Sequence, residues 1–279
     1  MPLDLIYITN DPEVARIAEE NDVDRIMVDL EKLGKAERQK NINSVKSNHT
    51  IGDIWEVAKV LDKSRLLVRI NPWNQGSVEE IEAVISAGAQ SIMLPMWKTE
   101  AEVDDFLRTV NRRVRTTLLL ETKEAVECVD AVLEHPLLDD IHIGLNDLHL
   151  SYGLTFMFEL LADGTVERLC KKFSAKGIPY GFGGIAKLSK GLVPAEHVIM
   201  EHYRLGSTGV ILSRTFCNAE EIGDLDAVRT LFAEQMKLVR DFEASLADKT
   251  EEDYTANRDT VKEYVRQAVQ VIRQRRAEQ

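Results

Sequence analysis

Ile141-His142-Ile143-Gly144-Leu145-Asn146-Asp147-Leu148 reads as a short buried strand that runs into a glycine and then delivers one carboxylate, Asp147. The apolar run before it, Thr117-Leu118-Leu119-Leu120, behaves alike and ends on Glu121. Carboxylates are almost never left alone in a core, so two consecutive core strands that end in acids require a partner. A hard divalent cation is the natural one. The fold then turns on whether the remaining strands bring their ends to the same place.

Outward from this stretch, strand and helix alternate. Strands are expected at residues 3–8, 25–29, 66–70, 91–95, 117–120, 141–143, 179–184 and 208–212. Helix starts punctuate them. Thr9-Asn10-Asp11-Pro12 caps a helix with proline in its first turn. Ser77 with Glu80, and Thr99 with Glu102, have capping-box spacing. The strands are apolar throughout rather than alternating, which predicts a parallel sheet buried on both faces. Eight such units in one chain predict an α/β fold, a TIM-type (β/α)8 barrel. A doubly wound open sheet would want a glycine-rich phosphate loop after an early strand, and the sequence has none there. The barrel is expected over residues 1–249, with an additional C-terminal helix in residues 250–279. Val261, Val265, Ala268 and Ile272 form an apolar stripe on that helix, expected to pack on a neighbouring subunit of a homo-oligomer or across the barrel's end.

Composition bounds the partners. The 279 residues are 44% hydrophobic and 29% charged, which suits one large globular domain. A net charge of −12 argues against nucleic acid and anionic membrane, since both demand a basic patch. Cys128, Cys170 and Cys217 show no CxxC spacing, so neither a disulfide framework nor a zinc site is expected. The N-terminus lacks a secretory pattern, and no run approaches the ~18 apolar residues of a membrane span. A cytoplasmic location is the expectation, and Asn48-His49-Thr50 is therefore not read as a glycosylation site.

In a barrel the chemistry sits at the C-terminal ends of the strands. Those ends carry Asp29 with Glu31, Arg69, Pro95-Met96-Trp97, Glu121, Asp147, Gly183-Gly184 and Ser213-Arg214. Each charged end taken singly reads as a residue paired with a neighbouring loop. Jointly they read as one site. Two carboxylates from adjacent strands, with waters and substrate oxygens, make the oxygen octahedron of Mg²⁺ or Mn²⁺, other divalent cations being open. Arg214 either meets a substrate anion or phosphate or bridges to a helix. His142 is expected beneath the rim and His149 just beyond it.

Five motifs then carry a resemblance. Val28-Asp29-Leu30-Glu31, Arg69-Ile70-Asn71-Pro72, the run from Gly88 to Met96, Glu121-Thr122-Lys123-Glu124-Ala125, and Ile143-Gly144-Leu145-Asn146-Asp147-Leu148 resemble, in that order, the HpcH/HpaI aldolase and citrate lyase β-subunit family. That family belongs to the phosphoenolpyruvate/pyruvate barrels and makes or breaks carbon–carbon bonds beside a 2-oxo acid or an acyl-CoA. The resemblance implies Glu121 and Asp147 as metal ligands and Arg69 on the pyruvate-like oxygens. It also implies that Asp29, Gln90, Leu94, Pro95, Gly144 and Asn146 border the substrate. Two departures accompany it. The aldolase branch follows the acid matched by Glu31 with a histidine base, whereas this chain has Lys32. With Lys35 and Arg38, the segment looks closer to the citrate-lyase branch, but the second acid of that branch is missing too. His49, Lys32 and a metal-bound water are three open candidates for the proton carrier.

The expected function is a divalent-metal-dependent carbon–carbon lyase of the class II aldolase type, working on a 2-oxo acid through a pyruvate enolate, with Arg69, Glu31, Lys32 and His49 as candidate catalytic groups. The alternatives are a CoA-ester lyase of the citrate or malyl type and a non-catalytic barrel that binds an oxo-acid.

Overall fold

The computed structural model describes residues 2–34 and 48–278. Lys35 and Arg38 lie outside the described residues. Eight parallel strands close in sequence order into a barrel: β1 (Asp4–Ile8), β2 (Arg25–Asp29), β3 (Arg65–Arg69), β4 (Ser91–Leu94), β5 (Arg115–Leu120), β6 (Asp140–Ile143), β7 (Tyr180–Ile185) and β8 (Gly209–Leu212). Every expected strand is present, with its ends moved by a residue or two. Their central residues are buried on both faces, as continuous apolar strands require.

The helices among the described residues are α1 (Pro12–Glu20), α2 (Ile51–Ala58), α3 (Ser77–Ser86), α4 (Glu100–Val110), α5 (Lys123–Val132), α6 (Leu145–Ser151), α7 (Glu159–Ala162), α8 (Thr165–Ala175), α9 (Ala195–Leu205), α10 (Ala219–Ile222), α11 (Leu225–Ser245) and α12 (Glu251–Ala277). None is long and apolar enough to cross a membrane. Local chemistry explains their starts. The Asp11 carboxylate accepts from the amides of Glu13 and Val14 at the head of α1. Thr99 and Glu102 close the expected capping box on α4, and Thr50 with Asp53 does the same on α2.

The box expected from Ser77 and Glu80 does not form. Gly76 holds the N-cap position of α3, and the Ser77 hydroxyl accepts from the Asn74 amide. Glu80 turns instead to Asn71. A second correction concerns Asp147. The strand stops at Ile143, Gly144 takes the N-cap position, and Asp147 stands in the first turn of α6.

Contacts along the chain gather into two compact units. Residues 6–141 form one, and the first five residues with everything from His142 onward form the other. In the second unit, α12 packs on α9 and α7, with Val261, Val265 and Ala268 buried. Of the stripe expected on a neighbouring subunit or across the barrel's end, Val261, Val265 and Ala268 are covered within the chain, and Ile272 is half-buried. Asn257 secures the helix, its amide nitrogen donating to the His197 carbonyl at 3.1 Å and to the buried Glu201 carboxylate at 3.0 Å.

Candidate active site

Register builds the site in the unit of residues 6–141. β2 and β3 pair with Asp29 opposite Arg69. Partners in adjacent strands point to the same side of the sheet, so a carboxylate and a guanidinium meet at the ends of these two strands. Arg69 Nε donates to Asp29 Oδ1 and Nη2 to Oδ2, both at 2.8 Å. This is the bidentate fork that only arginine can make. The Nη1 edge lies 3.5 Å from Glu31 Oε2. Burial alone would lower the Arg69 pKa, but the charge and hydrogen bonds of Asp29, then the charges of Glu31 and Glu121, raise it above the ordinary guanidinium value. Arg69 is a permanent cation.

The acids around it are deeply placed: Asp29 is 1% exposed, Glu31 3% and Glu121 3%. Glu31 and Glu121 bring carboxylate oxygens near the guanidinium, and the charge of each helps to hold it protonated. Oxygen donors of this kind suit a hard cation. Among the described residues no group of three or more His, Cys, Asp or Glu side chains forms a metal-holding cluster. An ion here would draw on fewer protein ligands and more water or substrate oxygens.

The turn carrying Asp29 and Glu31 is anchored amide by amide. The Asp29 amide donates to His49 Nδ1 at 2.9 Å, and the Leu30 amide to the Arg69 carbonyl at 2.8 Å. The Glu31 amide donates to Asp29 Oδ1 at 3.1 Å. The amides of Lys32 and Leu33 both donate to Asn71 Oδ1, at 2.9 and 3.0 Å. His49 can reach Asp29 because β1 runs out first. Ile8 is the last β1 residue in register, opposite Met27, and the Thr9 amide goes to the Met27 carbonyl.

Glu121 is fastened from the neighbouring loop. The Met96 amide donates to Glu121 Oε1 at 3.0 Å, and the Thr122 hydroxyl to the Trp97 carbonyl at 2.8 Å. Met96 adopts the left-handed region, φ 55°, to aim that amide. Such strain in a non-glycine residue persists where surrounding contacts over-determine it, commonly at functional sites.

The other expected residues divide. Leu94 and Pro95 are buried at the end of β4. His49 is 6% exposed, not a loose loop histidine. Lys32 is exposed, without the desolvation a lysine base requires. Gln90 is a correction: it precedes β4, at the opposite end from Leu94, and its side-chain oxygen accepts from the Leu66 amide at 2.9 Å. In the second unit, Gly144, Asn146 and Asp147 open α6, and Asn146 is exposed. His149 is buried on α6, its Nδ1 3.2 Å from the Leu145 carbonyl oxygen, and burial lowers its pKa. His142 is buried in β6, with Nε2 3.0 Å from the Gly183 carbonyl oxygen. Arg214 is exposed beyond β8. Sequence reasoning gave Glu80 only a capping role and Asn71 none, although Asn71 stands two residues after Arg69 in a quoted motif.

The model of the HpcH/HpaI aldolase/citrate lyase family matches residues 5–159. No curated protein matches the chain. Among solved structures, an HpcH/HpaI aldolase/citrate lyase family protein from Burkholderia cenocepacia J2315 superposes with a TM-score of 0.63 at 14% identity, over 82% of this chain and 95% of that one. The HpcH/HpaI aldolase of Desulfitobacterium hafniense DCB-2 gives 0.57 at 16% identity, over 86% and 93%. The citrate synthase SbnG gives 0.59 at 15%, over 82% and 94%. At these identities the superpositions establish the shared fold.

Proposed function

This chain belongs to the HpcH/HpaI aldolase/citrate lyase family, and we propose that it is a carbon–carbon lyase of the class II aldolase type, acting on a 2-oxo acid through a pyruvate enolate. The lyase class comes with the family. The observation that carries the finer reading is the bidentate Arg69–Asp29 pair beside the buried Glu31 and Glu121 at the ends of β2, β3 and β5. A Mg²⁺ or Mn²⁺ ion would supply Lewis-acid polarisation of the 2-oxo group, Glu121 and Asp147 each being a candidate ligand by the family resemblance.

The chain's own residues do the rest. Asp29 spends its carboxylate on orienting Arg69. The Nη1 edge of Arg69 then offers fixed positive charge to an oxygen that becomes an enolate, where preorganised electrostatics counts most. Glu31 is the best-placed proton carrier. Neutral His49 accepts at Nδ1 from the Asp29 amide, so its ring proton sits on Nε2 and its lone pair is engaged. Lys32 is exposed. Glu31 is buried, with Oε2 3.5 Å from the Arg69 Nη1 edge. It would take a proton from C3 as the C–H electrons move into the enolate and the charge collects on the 2-oxo oxygen.

Deuterium exchange tests the reading without naming the aldehyde. In D2O with Mn²⁺, the protein should exchange the C3 protons of pyruvate, and chelation should stop it. Glu121→Gln and Asp147→Asn should each weaken Mn²⁺ binding at least ~10-fold by calorimetry while the fold persists, since each removes a charged oxygen ligand. Absence of metal-dependent exchange in the unaltered protein would overturn the aldolase reading.

A further inference from the structure

The side chain of Asn71 is fully committed. Oδ1 accepts from the amides of Lys32 and Leu33, at 2.9 and 3.0 Å. Nδ2 donates to Glu80 Oε1 at 2.7 Å. Those partners leave no freedom in the orientation of the amide. Backbone N–H groups only donate and an ionised carboxylate only accepts, so the oxygen must face the turn and the nitrogen must face α3. Glu80 is the correction noted above, a residue spaced to cap α3 that reaches back to Asn71 instead. Its own backbone position is secured, the Glu80 amide donating to the Gly76 carbonyl at 3.0 Å.

The consequence runs through one short segment. Arg69 and Asn71 sit two residues apart at the end of β3. The Leu30 amide is bonded to the Arg69 carbonyl, and the two amides after Glu31 are bonded to Asn71. Glu31 is therefore gripped on both sides by the strand end that carries its cationic neighbour. We propose that Asn71, oriented by Glu80, is a positioning residue that holds the Glu31 carboxylate in register with Arg69 for proton transfer. The role in proton transfer rests on the aldolase reading above.

The test exploits the forced donor and acceptor pattern. Asn71→Asp keeps the shape but sets a carboxylate against the Glu80 carboxylate. Glu80→Gln added to it restores a donor to the pair, with the direction of the hydrogen bond reversed. Glu80→Gln alone keeps an acceptor for Asn71 and should be mild. In pyruvate C3 exchange, Asn71→Asp should lose on the order of 10²-fold in kcat, the scale of a small displacement in a positioned group, with KM little changed. The double variant should recover most of it. Amide hydrogen exchange supplies a readout that needs no turnover. The amides of Lys32 and Leu33 should lose protection in Asn71→Asp and regain it in the double variant, while that of Leu30 stays protected in both. An active Asn71→Asp, or a double variant no better than the single one, overturns the proposal. If the unaltered protein exchanges no proton from pyruvate, the aldolase reading fails by itself. The catalytic half of the proposal falls with it, and the latch is then judged on amide protection alone. Loss and recovery at Lys32 and Leu33 supports the latch, and unchanged protection in Asn71→Asp overturns it.

Discussion

Arg69 commits two of its five N–H donors to Asp29 and turns a third edge toward Glu31. A lysine in its place keeps the charge but can make only point contacts. Arg69→Lys should therefore slow pyruvate exchange by roughly 10²–10³, the loss typical of one preorganised donor. It should also cost about 1–3 kcal/mol of stability, because Asp29 is 1% exposed and loses a hydrogen bond it cannot replace with water. Exchange kinetics and urea unfolding on the same preparation separate the two effects. Rates like those of the unaltered protein, together with a lowered stability, would make Arg69 a brace for two strand ends and nothing more.

At the scale of elements, α12 depends on α9 through polar contacts as much as through its stripe. His197 Nδ1 donates to Asn257 Oδ1 at 2.6 Å, and Asn257 donates to Glu201 at 3.0 Å. Glu201, fully buried, also accepts from Arg204 at 2.7 Å. Asn257→Ala withdraws a donor from a buried carboxylate and should cost about 1–3 kcal/mol. Truncation after Lys249 uncovers the faces that Val261 and Val265 now bury, and should cost more, on the order of 3 kcal/mol from those two side chains alone. Thermal melting checks both. If Asn257→Ala melts like the parent, the network is idle and the stripe does the holding. The sequence shows this helix plainly through its apolar spacing, and the structure adds its cap at Thr250. What covers the stripe was not legible there, because a helical period names a face and not the neighbour that meets it.

For the whole molecule, unfolding should depend on pH through His202. Its ring stacks on Phe182 with centroids 3.7 Å apart, and Nδ1 lies 2.8 Å from the Ser207 hydroxyl oxygen. Burial, with a smaller contribution from His142, holds its pKa well below the ordinary histidine value. The folded form thus refuses a proton that the unfolded chain accepts below about pH 6.5. The stability this confers is complete above that pH and is lost as pH falls from there toward the folded pKa, by up to ~1.4 kcal/mol per pH unit. Urea unfolding between pH 7.5 and 5.5 should show that slope, and His202→Leu should flatten it. An unchanged slope in the variant would assign the titration elsewhere.

By itself the sequence determined the strand order, the parallel barrel and the acidic strand ends, because apolar runs, capping residues and strand-terminal charges act within a few residues of one another. Thr99 with Glu102 is a case where neighbours settle the outcome alone. Only the tertiary structure decided how those ends are used. Ser77 and Glu80 have the same spacing as that pair, but Asn71 lies within reach and its amide outcompetes the cap for the Glu80 carboxylate. Gln90 sits in a motif beside apparent site residues, yet it precedes β4, four residues before Leu94, and so lies at the other end. His49, a candidate proton carrier from the sequence, is buried on the Asp29 amide because β1 stops short. In the last two cases a hydrogen bond between separate segments, 24 and 20 residues apart, sets the outcome. Such bonds depend on strand register, which no local pattern of residues specifies.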